Sequence, residues 1–376
     1  MGNTFSARGV VLSHVVTMSS AIALQYLYNH HAGKSNTLSG REVALVSVAV
    51  LLAAVAVLYR NESLAQAHRK GELAKSLLLL RATRNGSACE ASTDYGLSFK
   101  PRPSDVFIVT HGKCGTTWMS QICHMLRGGD MTFGEITEVV PFDVRAKMFG
   151  QDLDADQVRH PRLFKSHSAR DKIAKGGKYI YVARKPEDIF VSAFHYMLAY
   201  HGLEQDDMTM LQFSSLAIDL GKALFKFHST PWDHFLGWYY VKDDPNVMWV
   251  FFEDLKTDLK GQIERVAAFM DIPDDVREER ITQALEKSSY GFMSAPEQRH
   301  HFDDHFGFDK VKKNMGLPED AKVKSVKVMQ GKTGLGWLRS YFLRKAFDEQ
   351  WKINMVPKIG YKDYDSFRAS FGNMRS

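Results

Sequence analysis

The stretch Val109-Thr-His-Gly-Lys-Cys-Gly-Thr-Thr-Trp118 restricts the fold more than any other part of this chain. It follows an apolar run, Asp105-Val-Phe-Ile-Val-Thr110, whose β-branched and aromatic residues favour a strand. It opens a segment with helical spacing at Trp118, Ile122, Met125 and Leu126. A strand, a glycine-containing loop and a helix start, in that order, form an anion site. The unpaired N–H groups of the first helical turn face the ligand, and the dipole favours negative charge. Lys113 adds a point charge, and Thr116 and Thr117 add hydroxyl donors. The Walker A pattern G-x-x-x-x-G-K-[ST] does not fit, because the lysine precedes the glycine and no Mg²⁺-binding carboxylate is apparent. A plain strand-to-helix turn would use the same glycine and threonines without binding anything.

Strands and helices alternate beyond the loop. Lys178-Tyr-Ile-Tyr-Val-Ala183 reads as a second strand, ended by Arg184. Pro186 then stands at a first helical position, with Glu187 and Asp188 in the first turn. Phe190, Phe194, Met197 and Leu198 give that helix its apolar face. A third strand over 246–252 precedes a helix with Leu259, Ile263, Val266, Ala267 and Met270 on one side. Apolar strands between amphipathic helices predict an α/β fold with a parallel β-sheet flanked by helices. Ligands of such sheets bind beyond the carboxyl ends of the strands, where the Lys113 loop and Arg184 both fall.

These residues carry a family resemblance. Lys113-Cys-Gly-Thr-Thr-Trp118 resembles the Y-P-K-S-G-T-T-W loop of the cytosolic-type sulfotransferases, which use 3′-phosphoadenosine 5′-phosphosulfate (PAPS) as donor. Pro161-Arg-Leu-Phe-Lys-Ser-His167 resembles P-R-x-x-K-T-H, and the stretch from Tyr181 to Ser192 resembles Y-V-x-R-N-x-x-D-x-x-V-S. Trp232-Asp-His-Phe-Leu-Gly-Trp238 and Phe251-Phe-Glu-Asp-Leu255 are similar to two further elements, in the family's order. The resemblance starts at Ser104 and reaches the mid-340s, leaving residues 1–100 outside it.

The resemblance implies a P-loop-like phosphosulfate-binding loop, with Lys113, Cys114, Gly115, Thr116, Thr117 and Trp118 around the donor. It implies His167 as general base, with Lys113 and Lys165 stabilising the transferring group. Arg184 and Ser192 would hold the 3′-phosphate, Trp118 and Phe252 would contact adenine, and Ser288 would lie near the nucleotide. Two departures stand out. The closing segment R-[KR]-G-x-x-G-x-W appears as Met329-Gln-Gly-Lys-Thr-Gly-Leu-Gly-Trp337, without its leading arginine. Gly331 and Lys332 are its donor-binding candidates, Lys332 or Lys327 supplying the missing charge. The family's dimer element is not recognisable in 340–350, so the oligomeric state stays open. A histidine-rich stretch, Arg299-His-His-Phe-Asp-Asp-His305, fits no standard metal spacing and reads as a solvated loop; no metal is expected.

The N-terminus adds a membrane expectation. Residues 43–59 form an uncharged apolar run of spanning length, and 9–28 form a weaker one that would be a second span of a hairpin or an interfacial segment. Met1-Gly-Asn-Thr-Phe-Ser6 fits an acylation pattern. Residues 1–60 are thus read as the membrane-anchoring region, 61–103 as stalk and linker (linker over 85–103), and 104–376 as the sulfotransferase domain. More Lys and Arg follow the apolar run than precede it, which places the catalytic bulk in the cytosol. The formal charge of +6 (49 Lys+Arg, 43 Asp+Glu) suits an anionic ligand or membrane surface without arguing for nucleic acid. The expected function is sulfuryl transfer from PAPS to a hydroxyl or amine of a small-molecule acceptor. Lumenal glycan or protein sulfation is a second reading, and a catalytically inactive nucleotide-binding protein a third. A nucleotide kinase would need carboxylates and a lysine placement that the sequence lacks.

Overall fold

The computed structural model describes residues 40–216, 230–324, 327–328 and 337–373. The apolar run over 9–28, the acylation pattern at Gly2, and Met329, Gln330, Gly331 and Lys332 lie outside the described residues. Contacts divide the chain into two units, Met1–Leu73 and Ala74–Ser376.

The described part of the first unit belongs to α1 (Gly40–Ala88), which continues into the second. Among the described residues this helix is long and apolar enough to cross a membrane. Leu45, Val48, Leu52 and Val55 lie more than half exposed on it.

In the second unit, strands β1 (Val106–Thr110), β2 (Leu163–Ser166), β3 (Lys178–Ala183) and β4 (Val247–Phe251) form one parallel sheet in the order β2-β1-β3-β4. Strand β4 stops one residue short of the expected Phe252, which opens the helix Phe252–Thr257 instead. Side chains alternate between two cores, as a pleated strand requires. Val106, Ile108, Ile180, Val182, Met248 and Val250 enter one; Phe107, Val109, Tyr179, Tyr181, Trp249 and Phe251 enter the other. Both faces are therefore covered, and the strands are buried along almost their whole length.

From β1 the chain leaves to one side for β2 and then crosses to the other side for β3. The carboxyl end of β1 is thus the point where strand order reverses, the place where sheets of this kind form a binding crevice. In register, Val109 pairs with Ser166 and Tyr181, and Ala183 pairs with Phe251. Thr110, His167, Arg184 and Phe252 consequently emerge along one edge of the sheet. Three helices border that edge: α3 (Thr116–Leu126), α4 (Pro186–Tyr200) and α5 (Pro231–Tyr239).

Residues 85–103, read as a linker, are mostly helical. Helix α1 runs to Ala88, and a separate helix spans Glu90–Ser98. Gly96 is a site of close approach rather than a turn, since a Cβ there would stand 2.4 Å from the Asp143 carbonyl oxygen. Within the same unit Ala74, Leu78 and Ala82 pack with Phe194 and Leu198, and Phe99 joins the core with Phe107 and Phe164. A chain begun at residue 74 should therefore stay folded, whereas one begun at 101 loses these contacts. Full burial of one Leu or Phe contributes about 1.5–3 kcal/mol. Losing Leu78 and Phe99 should lower the melting temperature by roughly 10 °C. Equal melting of the two truncated chains would contradict this packing.

Candidate active site

Five residues connect β1 to α3, and two of them have reversed backbone: Lys113 (φ 72°) and Gly115 (φ 104°). Such turns gather successive N–H groups into a concave anion site. Gly115 has a second constraint, because a Cβ there would lie 2.7 Å from the Phe252 ring. Thr116 Oγ1 lies 2.7 Å from Thr110 Oγ1, which ties the helix start to the strand end. Thr117 stands half-buried on the first turn of α3. Cys114 is buried, and burial pushes its thiol up to about 12. That neutral thiol is no nucleophile, so only the Cys114 backbone suits an anion.

Lys113 carries its ammonium 3.8 Å from the centre of the Tyr196 ring. Burial lowers it to about 7, assisted by Lys327, Lys165 and Arg184 and opposed by Asp304. Arg184 donates to the Lys113 carbonyl at 2.9 Å, and its guanidinium lies 4.2 Å from the Phe252 ring centre. Trp118 meets Phe252 edge-on at 5.5 Å and donates from Nε1 to the Ser288 carbonyl at 2.8 Å. Trp118, Arg184, Phe252 and Ser288 are thereby brought together beside the loop. Among the described residues Arg184 Nε and Ser288 Oγ are two of the buried polar atoms without a hydrogen-bond partner. Ser192 lies half-buried on α4, and no described contact ties it to Arg184.

Lys165 and His167 are two residues apart across the end of β2, so they point to the same side. Both flank Phe142: Lys165 Nζ lies 4.7 Å from the ring centre, and the imidazole meets the ring edge at 5.1 Å. His167 Nδ1 lies 2.9 Å from the Thr110 carbonyl oxygen. A carbonyl only accepts, so Nδ1 carries the proton and Nε2 holds the lone pair. Burial, reinforced by Lys165, keeps this imidazole well below its usual range and hence neutral.

The sequence reading missed several residues here. His234, quoted only as part of a motif, hydrogen-bonds the backbone at His167 and Ser168, and Tyr181 Oη lies 3.2 Å from its Nδ1. It braces the turn that presents His167. Arg162 belongs to the β2 motif but points away from the crevice, into a bidentate pair with Asp105. The histidine-rich stretch is not simply solvated, for Phe302 and Asp304 are buried. Asp304 accepts from Tyr196 Oη at 3.0 Å and ion-pairs with Lys327. Glu135, also buried, accepts from Thr137 at 3.1 Å, and burial pushes it up to about 7. None of these positions has a periodic signal to mark it.

An anion cradle, two lysines and an oriented neutral imidazole suit the transfer of an anionic group to a nucleophile that must lose a proton. Residues 103–362 match the model of the sulfotransferase domain. The chain is 29% identical over 207 residues to an amine sulfotransferase of Oryctolagus cuniculus, covering 52% of this chain and 64% of that protein. It is 33% identical over 204 residues to human sulfotransferase 2B1, covering 52% of this chain and 53% of that protein. It thus spans between half and two thirds of the length of these curated relatives. Among solved structures, a mouse sulfotransferase complexed with PAP superposes with TM-score 0.49 at 20% identity, over 72% of this chain and 90% of that one. A retinol dehydratase complexed with androsterone and PAP gives 0.48 at 18%, over 69% and 83%.

Proposed function

This chain belongs to the sulfotransferase domain family, and on that premise we propose that it moves a sulfuryl group from PAPS to a hydroxyl or amine of a small acceptor. The observation that carries the reading is the fixed tautomer of His167 beside the Lys113 loop. The acceptor oxygen or nitrogen attacks sulfur, and its proton passes to His167 Nε2. The bond from sulfur to the bridging oxygen breaks, and the electron pair leaves on the 5′-phosphate of PAP. Lys113 and Lys165 offset the charge that builds on the bridging and sulfuryl oxygens, where preorganised cations act most strongly. Arg184 and Ser192 would take the 3′-phosphate, and Trp118, Phe252 and Ser288 the adenine. The exposed apolar stretch of α1 supports a membrane tether, with the catalytic unit on the cytosolic side.

Calorimetric titration of the full chain in detergent tests the donor site. PAP should bind far more tightly than AMP, which lacks the 3′-phosphate; equal affinities would sink the reading. A pH effect follows from Lys113, whose ammonium burial lowers to about 7. A bound anion raises that value, so near pH ~8 the lysine must take up a proton as PAP binds. Affinity should therefore fall as pH rises above about 7. Titrations in buffers of different ionisation enthalpy should show proton uptake that disappears in Lys113→Met. Release instead of uptake would contradict the sign.

A further inference from the structure

Three contacts outside the motif residues run in series into the loop. Lys327 ion-pairs with Asp304, Asp304 accepts from Tyr196 Oη at 3.0 Å, and the Tyr196 ring carries the Lys113 ammonium at 3.8 Å. The Lys327 and Asp304 side chains are both only 10% exposed. Asp304 holds a left-handed backbone (φ 69°) just before the helix His305–Val311, which turns its carboxylate inward. Burial would push that carboxyl up, but Lys327, Lys165 and Lys113 outweigh it and hold it well below the usual range. Lys327 thus pairs with a carboxylate whose other partner, Tyr196, lies under the Lys113 ammonium, and the buried Glu135 feels Lys327 and Lys165 as well.

A lone buried carboxylate there would repel an arriving sulfuryl group and would cost several kcal/mol unpaired. Lys327 cancels it and still presents further N–H donors. Resting on the PAPS reading above, we propose that Lys327 is a third lysine of the sulfuryl end of the donor site, held in place by Asp304. Asp304 is the positioning residue: it fixes Lys327 on one side and Tyr196, under Lys113, on the other. This assigns Lys327 to the opposite end of the donor from the 3′-phosphate.

Three donors separate the alternatives: PAPS, adenosine 5′-phosphosulfate (no 3′-phosphate) and PAP (no sulfuryl group). Lys327→Met keeps the packing of the stem and removes the charge. It should weaken PAPS and adenosine 5′-phosphosulfate about tenfold or more, as expected for a hydrogen bond to a charged group, and PAP by less than about threefold. Adding Asp304→Asn to that variant should recover part of the lost affinity, because it removes the uncompensated carboxylate. A purely structural role would instead make the double variant worse. Lys327→Arg, which retains the charge, should bind PAPS within about threefold of the parent. The proposal is overturned if Lys327→Met, or Lys327→Ala should that variant alone fold, weakens all three donors equally. A loss confined to donors bearing the 3′-phosphate, or no loss at all, overturns it equally. Binding of none of the three by the unaltered chain would sink the PAPS reading itself, a different failure.

Discussion

His167→Ala is expected to lower turnover by about 10²–10⁴-fold, the range for removing a positioned general base, while PAP affinity stays nearly unchanged. The separation follows from the geometry. His167 is anchored to Thr110 through Nδ1 and lies at the end of β2 with Lys165. The groups proposed for the nucleotide, Arg184, Trp118 and Phe252, gather instead around the carboxyl ends of β3 and β4 and the start of α3. Removing the imidazole takes away the proton acceptor and leaves the donor contacts in place. Retention of more than about a tenth of the turnover would contradict the role assigned to His167. Lost PAP binding would mean that the residue serves the fold.

Arg162→Ala should produce the largest loss of stability, about 3–5 kcal/mol, the cost of removing one partner from a buried ion pair. Arg162 Nε and one terminal nitrogen reach the two Asp105 carboxylate oxygens at 2.9 and 2.6 Å. Its other terminal nitrogen donates to the carbonyls of Leu153, Asp154 and Ala155 at 2.8–3.2 Å. Neither side chain of the pair is more than 2% exposed. The substitution leaves Asp105, just before β1, with only the Arg102 backbone N–H as a donor, and it strips the Leu153 and Ala155 carbonyls of the Arg162 guanidinium, while Asp154 keeps Arg102. Denaturant unfolding would measure the difference. A loss below about 1 kcal/mol, the worth of an exposed pair, would refute this description.

The sequence carried the sheet where apolar runs are long enough to read. Strands β1, β3 and β4 each have five buried residues. Strand β2 is only four residues long, three of them buried, too short for periodicity, and its position was visible only through the family resemblance. The motif residues at strand ends were legible for the same reason as the strands: each follows a run that must stop at the crevice. Tyr196 and Asp304 were not, and Lys327 was legible only as a candidate for the charge at the 3′-phosphate. They meet across 108 residues between Tyr196 and Asp304, and Asp304 sits in left-handed backbone that hydrophobic patterning does not register. The segment 85–103 misled because glycine and serine usually break helices. Here Ser92, Thr93 and Gly96 are buried by packing, which overrides propensity.

Sulfur-35-labelled PAPS, incubated with the full chain in detergent and a panel of phenols, aliphatic alcohols, sterols and amines, tests the central claim most directly. The account predicts label in at least one organic product, stoichiometric PAP, and product formation about 10²–10⁴-fold slower with His167→Ala. Tightly bound PAPS that gives up its label to no acceptor class, or equal product from both proteins, would contradict it.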